Sequence, residues 1–198
     1  MLFRSVSIEG LGQALTGALA LHRDYPNNKA QLVAKRGPAP DFAAPEKYPR
    51  LAGKYGSQLN YDGNVVQSCI HCHQIGDAQR QYHRDQTGAL PEQVLFPYPH
   101  PKALGLILDP KERARLLRVQ PGSLAEKAGF QAGDEITSLN GQPLISLADI
   151  QWVLHHTPAA GGTVAAKIRR GGADRDITLT LSTGWQIGRA HVELQSPY

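Results

Sequence analysis

Glycine and proline punctuate the second half of the chain so closely that only short elements can form there. Pro121-Gly122-Ser123 opens a short helix whose Leu124, Ala125 and Ala128 share a face, and Gly129 stands where a left-handed C-terminal cap belongs. Phe130-Gln131-Ala132-Gly133-Asp134 supplies a turn and Glu135-Ile136-Thr137-Ser138-Leu139 a strand. Asn140-Gly141 then supplies a tight turn of the type-I′ kind. Ser146 with Asp149 three residues later is a capping-box arrangement ahead of Leu147, Ile150, Val153 and Leu154. It predicts a helix over about 147–156 that ends before Pro158. Leu104–Leu108 and Ala114–Val119 read as strands, and Thr163–Arg169 pairs with Asp176–Leu181 through Gly171-Gly172. The expectation is an α+β domain of five to six short antiparallel strands and two helices, in about 85 residues that can hold one modest core.

In that order, the run Gln120-Pro121-Gly122-Ser123-Leu124-Ala125-Glu126-Lys127-Ala128-Gly129-Phe130-Gln131-Ala132-Gly133-Asp134-Glu135-Ile136, followed by Leu139-Asn140-Gly141, resembles a bacterial PDZ domain. It is similar to the circularly arranged modules attached to HtrA-type serine proteases, and the likeness runs through Lys167-Ile168-Arg169-Arg170-Gly171, which sets a domain at 101–185. The resemblance implies binding of protein C-termini or extended peptides as an added strand. Ala103-Leu104-Gly105-Leu106 matches the loop whose amides hold a terminal carboxylate, and Leu106, Ile107 and Leu108 match the pairing strand. That strand would face Leu147, Gln151 and Leu154, with Ile150 supporting the wall from the core. The apolar Leu147 favours a hydrophobic terminal residue on the ligand. The plainer alternative is that these leucines only fill the core of a domain whose groove is unused. Gly-x-Ser-x-Gly and Gly-Asn-Ser-Gly-Gly nucleophile motifs are absent, so no catalytic residue of a protease is assigned.

Upstream, Ile8, Leu11, Leu15, Ala18 and Leu19 recur at helical spacing until Asp24-Tyr25-Pro26 stops them. One amphipathic helix cannot bury its own stripe and needs a partner surface. Residues 35–98 carry prolines at 38, 40, 45, 49, 91 and 97, and the segment 35–100 reads as an irregular connector, with a short helix over Asp77–Tyr82. The formal charge is +4 with no basic arm, which makes nucleic acid a poor partner. No apolar run is long enough to span a membrane, and the first residues lack a secretory signal pattern. The protein is then cytosolic, or its true N-terminus lies upstream.

Both cysteines lie in Cys69-Ile70-His71-Cys72-His73, the Cys-x-x-Cys-His spacing of covalent c-type haem attachment. Two thiols at that spacing reach the two vinyl-derived carbons of a porphyrin, and the adjoining His73 is held to ligate iron. Met1 is the only methionine, which leaves His83 or His100 as the second axial ligand, or a five-coordinate iron. The same residues also fit a zinc site of Cys69, Cys72 and His73 with His71 or His83, a disulfide across the pair, or incidental thiols. His155 and His156, at a helix end, read as complements to its dipole.

The helix ending Ala18-Leu19-Ala20-Leu21-His22-Arg23-Asp24-Tyr25-Pro26, the segment Val65 to Ile75, and Val94-Leu95-Phe96-Pro97-Tyr98-Pro99 together resemble PDZ proteins that carry an N-terminal thioredoxin-like, sometimes selenocysteine-containing, domain. That resemblance implies that residues 1–34 hold the last helix of a truncated thioredoxin-like domain. Residues 187–198 resemble read-through of a sequencing adaptor in two frames and are set aside, His191 with them. The combined expectation is a non-catalytic peptide-binding module joined to a haem-binding segment and exported to the periplasm, because bacteria form the thioethers outside the cytoplasm. The alternatives are a thiol-disulfide redox fragment whose module recruits substrate, and an adaptor stapled by zinc or a disulfide.

Overall fold

In the computed structural model, which describes residues 7–54 and 72–186, the first described elements are helix α1 (Ile8–Asp24) and a single turn α2 (Lys29–Leu32). Helix α3 (Cys72–Thr87) and the short α4 (Glu92–Leu95) follow, then a 3-10 turn at Pro101–Leu104. Strands β1 (Leu106–Leu108) and β2 (Leu116–Val119) precede α5 (Leu124–Ala128), β3 (Glu135–Leu139) and β4 (Gln142–Pro143). Helix α6 (Leu147–His155) and the long hairpin β5 (Gly162–Arg170) with β6 (Ala173–Leu181) complete the order. Met1–Arg36 and Tyr98–Tyr198 form one unit, Gly37–Pro97 a second.

The local backbone signals act where they stand in the sequence. Asn140 and Gly141 adopt φ of 45° and 78° and join Leu139 to Gln142 directly, while Gly171 and Gly172 at 58° and 82° join Arg170 to Ala173. Ser123 caps α5 by accepting from the Glu126 amide, and Gly129 closes it at φ 95°. The Ser146 and Asp149 capping box is present at the start of α6. Among the described residues all pairings are antiparallel: β1 with β2 in one sheet, and β4-β3-β5-β6 in the other.

Alternation then builds the core. Val164, Ala166 and Ile168 of β5 and Leu179 and Leu181 of β6 point inward beneath Ile136 and Leu139 of β3. Ile150, Val153 and Leu154 of α6 join them, together with Leu104, Leu106 and Leu116. Asp134 is fully buried beside them. It accepts from Arg170 Nε and Nη2 at 2.6 and 2.7 Å and from the Gln131 amide at 2.9 Å, so a planar guanidinium satisfies a charge that burial would otherwise penalise.

Two expected elements differ. The strand predicted from Leu104 starts only at Leu106, because Pro101 pre-sets a 3-10 turn and Gly105, at φ 87°, reverses the chain before pairing begins. The helix predicted over Asp77–Tyr82 runs from Cys72 to Thr87; its surface is polar and carries no long apolar stripe to announce it.

Helix α1 belongs to the same unit as the C-terminal module, and it docks by its small residues. Ser7 Oγ accepts from the Gly10 amide and donates to Pro110 O at 2.9 Å. A Cβ at Gly10 would lie 2.2 Å from that same carbonyl oxygen, and one at Gly17 would lie 3.0 Å from the Ile145 side chain. Ile8, Leu11, Leu15 and Leu19 remain exposed, so the apolar stripe is not what the helix lays on the module. Lys35 Nζ donates to Pro143 O at 3.3 Å and pairs with the Asp149 carboxylate, fastening the end of the arm to the start of α6.

The second unit is small. Tyr48, Leu51 and Ala78 are buried, with Phe42 and Tyr82 packed on them. The Phe42 ring lies 4.7 Å from that of Tyr48 and 5.0 Å from that of Tyr82. Asp41 accepts from Tyr48 Oη at 3.5 Å and faces His83 Nε2 at 3.3 Å. Burial, then Asp41, pushes the Tyr48 phenol above its ordinary range.

Candidate functional site

Strand β1 has one ladder partner, β2; its other edge pairs with no strand among the described residues. Helix α6 shares the core with that strand through Ile150 and Leu154 against Leu104 and Leu106. An unpaired strand edge presents main-chain groups to an added strand, and the slot expected from the sequence lies between that edge and α6.

The nine residues expected to form this slot divide into three groups. Leu104, Leu106, Ile150 and Leu154 are at most 1% exposed and belong to the core, so they support the slot from behind. Ile107, Leu108, Leu147 and Gln151 keep partial exposure, with Leu108 packed against the core. Gly105 is required by packing: a Cβ there would stand 2.2 Å from Cβ and Oγ of Ser123, the cap of α5, and φ is 87°. The loop itself is partly spent, since the Ala103 amide donates to His100 O at 2.9 Å and the Gly105 amide to Lys102 O at 3.0 Å.

One residue absent from the sequence expectation touches the helix wall. Tyr98 donates its amide to His155 Nδ1 at 3.3 Å and accepts at its carbonyl from Gln151 Nε2 at 3.0 Å, and its ring stacks on His155 at 4.3 Å. Because a backbone N–H can only donate, Nδ1 of His155 carries its lone pair in this arrangement. Burial first, and then His156, holds the His155 pKa below its usual value. His155 is therefore an acceptor for the entering chain, not the charged complement to the helix dipole expected of it. A tyrosine in the left-handed region, with φ 52°, leaves no local sequence signal beyond the flanking prolines.

The cysteine-histidine cluster is described in part. Cys69 and His71 lie outside the described residues; Cys72, the first residue of α3, is exposed and free, and His73 follows it. His73 and His83 sit ten residues apart on one helix, about 15 Å along its axis, whereas two nitrogens on one ion stand within about 4 Å of each other. His83 is thus not the second ligand to an ion held by His73, for iron or for zinc; it turns to Asp41 instead. His100 Nδ1 accepts from the Lys102 amide at 3.2 Å, capping the 3-10 turn in the other unit. Among the described residues no group of three or more His, Cys, Asp or Glu converges on a point.

Comparison with known proteins bears on the C-terminal module. A PDZ-domain family model matches residues 115–160. The chain is 41% identical over 76 residues to the periplasmic pH-dependent serine endoprotease DegQ of Escherichia coli (strain K12), covering 38% of this chain and 16% of DegQ. It is 41% identical over 64 residues to the regulator of sigma-E protease RseP of the same strain, covering 32% of this chain and 14% of RseP. The chain thus spans only a small part of these relatives' length. A crystal structure of the HtrA3 PDZ domain bound to a phage-derived ligand (FGRWV) aligns with 36% of this chain and 65% of that one, at 27% identity and a TM-score of 0.31. The matched residues are those of a PDZ domain, and the module has the mixed helix-and-strand architecture expected of one. No described helix is long and apolar enough to cross a membrane.

Proposed function

We propose that the module binds an extended peptide with an apolar end, which adds as a strand to the open edge of β1 and lays side chains against α6. The observation that carries this reading is the second edge of β1, unpaired among the described strands, in a strand that shares its core with α6. Main-chain hydrogen bonds supply affinity that does not depend on sequence, and the apolar Leu147 supplies selectivity. With the Ala103 and Gly105 amides engaged inside the loop, strand addition contributes more than a wide carboxylate nest. Selection from a phage library of free C-terminal peptides tests it. Titration of a labelled selected peptide should weaken at least roughly tenfold in Leu147→Glu, since a carboxylate there meets an apolar side chain. Equal affinity in that variant, or no selected peptide, rejects the groove; an amidated twin of the peptide measures what the terminal carboxylate adds.

A second reading concerns Cys69, Cys72 and His73. The exposure of Cys72 and the adjacency of His73 at the start of α3 support covalent attachment of a c-type haem, with zinc or a disulfide as competing uses of the same thiols. When bound, the haem would supply an electron-transfer centre. Residues Cys69 and Cys72 would hold it and His73 would ligate it from the proximal side. A pyridine-haemochrome spectrum with intact mass, on protein exported with cytochrome c maturation factors, decides. A c-type band lost in Cys72→Ala supports haem, and its absence rejects it. Export to the periplasm accompanies this reading, and DegQ is a periplasmic protein by name.

A further inference from the structure

We propose that Tyr98 is a built-in occupant of the groove's helix wall, which a bound peptide must displace from Gln151 and His155; the proposal rests on the groove reading above. Gln151 and His155 stand one turn apart on α6, on the side that meets the chain entering the 3-10 turn. Both main-chain polar groups of Tyr98 are satisfied by these two side chains, as a strand satisfies those of an extended ligand. Gln151, expected to contact the ligand, is therefore already engaged by the protein's own backbone. The clamp is built to open. Tyr98 is 48% exposed, its positive φ is unfavourable for a side-chain-bearing residue, and no described core cluster includes it.

The acceptor role of His155 gives the clamp a proton dependence. A protonated imidazole has no lone pair on Nδ1, so acid removes the bond from the Tyr98 amide. The titratable groups that face His155 are His156 on its own helix, with ring centroids 5.1 Å apart, and the stacked Tyr98 phenol from the entering chain. Lowered pH should therefore release Tyr98 and tighten peptide binding.

The experiment uses the full chain and a fluorescein-labelled hexapeptide selected from the C-terminal library, with selection repeated on Tyr98→Ala. Tyr98→Ala keeps the two main-chain bonds but loses the ring stacked on His155, which lowers the closed fraction; since a groove closed for part of the time weakens apparent affinity by the open fraction, the variant should bind roughly five- to tenfold tighter. Tyr98→Phe, which keeps the stacked ring, should match the parent. Between about pH 7.5 and about pH 5 the parent and His156→Gln should tighten while His155→Leu, which has no acceptor for the Tyr98 amide, stays flat, which separates His155 from His156. A peptide bound by Tyr98→Ala alone also supports the proposal. Unchanged or weaker binding in Tyr98→Ala overturns it and leaves the groove reading standing. No peptide on either protein overturns both.

Discussion

The C-terminal module and the segment Gly37–Pro97 bury apolar surface by different means. In the module, side chains alternate along β3, β5 and β6, and Leu, Ile and Val close over each other with α6 as a lid. In Gly37–Pro97, prolines interrupt the backbone and the buried cluster is Tyr48, Leu51 and Ala78 beneath the rings of Phe42 and Tyr82. Regular backbone lets many small apolar groups contribute cooperatively. Irregular backbone leaves a few large rings, each covering much area, to do the same. The two modes predict cooperative unfolding of the module and shallow, local loosening of the other segment.

The sharpest way to break this contrast is to hollow the module. Both tryptophans, Trp152 and Trp185, lie in the module's unit, so their fluorescence follows that unit alone. Leu139→Ala, at a position 1% exposed, should cost about 3–4 kcal/mol in a denaturant titration read by that fluorescence. A cost under about 1 kcal/mol would mean that the aliphatic core is not the cooperative element. Asp134→Ala should cost about 3 kcal/mol, because it strands Arg170 and the Gln131 amide. In the other unit, Tyr82→Ala should lose its ring contacts, about 1 kcal/mol per pair beyond the area they bury. It should speed amide exchange over residues 37–54 and 72–87 while leaving the tryptophan transition in place; a coincident drop in that transition would merge the two units.

The smallest effect comes from pH. The His155 pKa is lowered by burial and then by His156, so the unfolded chain binds the proton more readily than the folded one. Stability from this group is full above the ordinary imidazole value of 6.5 and is lost as pH falls through and below it. A melting series from about pH 7.5 to about pH 5 should show a modest decline, reduced in His155→Gln.

What the sequence made legible was local chemistry. Asn140-Gly141, Gly171-Gly172, Gly129 and the Ser146 and Asp149 pair act within a few residues of where they stand, and each forms the turn or cap its chemistry requires. Strand β1 and helix α6 followed from local signals, but which of their leucines are sealed in the core depends on tertiary packing. The clamp at Tyr98 was illegible because it joins residues more than fifty positions apart, through a backbone conformation that tyrosine seldom adopts. The need for Gly105 was only half legible: its neighbour Ser123, eighteen positions on, also requires its small size. The orientation of α1 was hidden for the opposite reason, since a stripe of leucines suggests the docking face and the glycines behind it do the docking.

The attachment of the N-terminal arm has a consequence for how the polypeptide can be cut. Met1–Arg36 and Tyr98–Tyr198 are one unit although Gly37–Pro97 separates them along the chain. Ser7 on Pro110, Gly17 against Ile145 and Lys35 on Asp149 hold across that gap without a covalent link nearby. A single proteolytic nick between Gly37 and Pro97 would then yield two fragments on a denaturing gel and one species on a sizing column, a noncovalent complementation pair whose smaller member retains its seat on the PDZ domain.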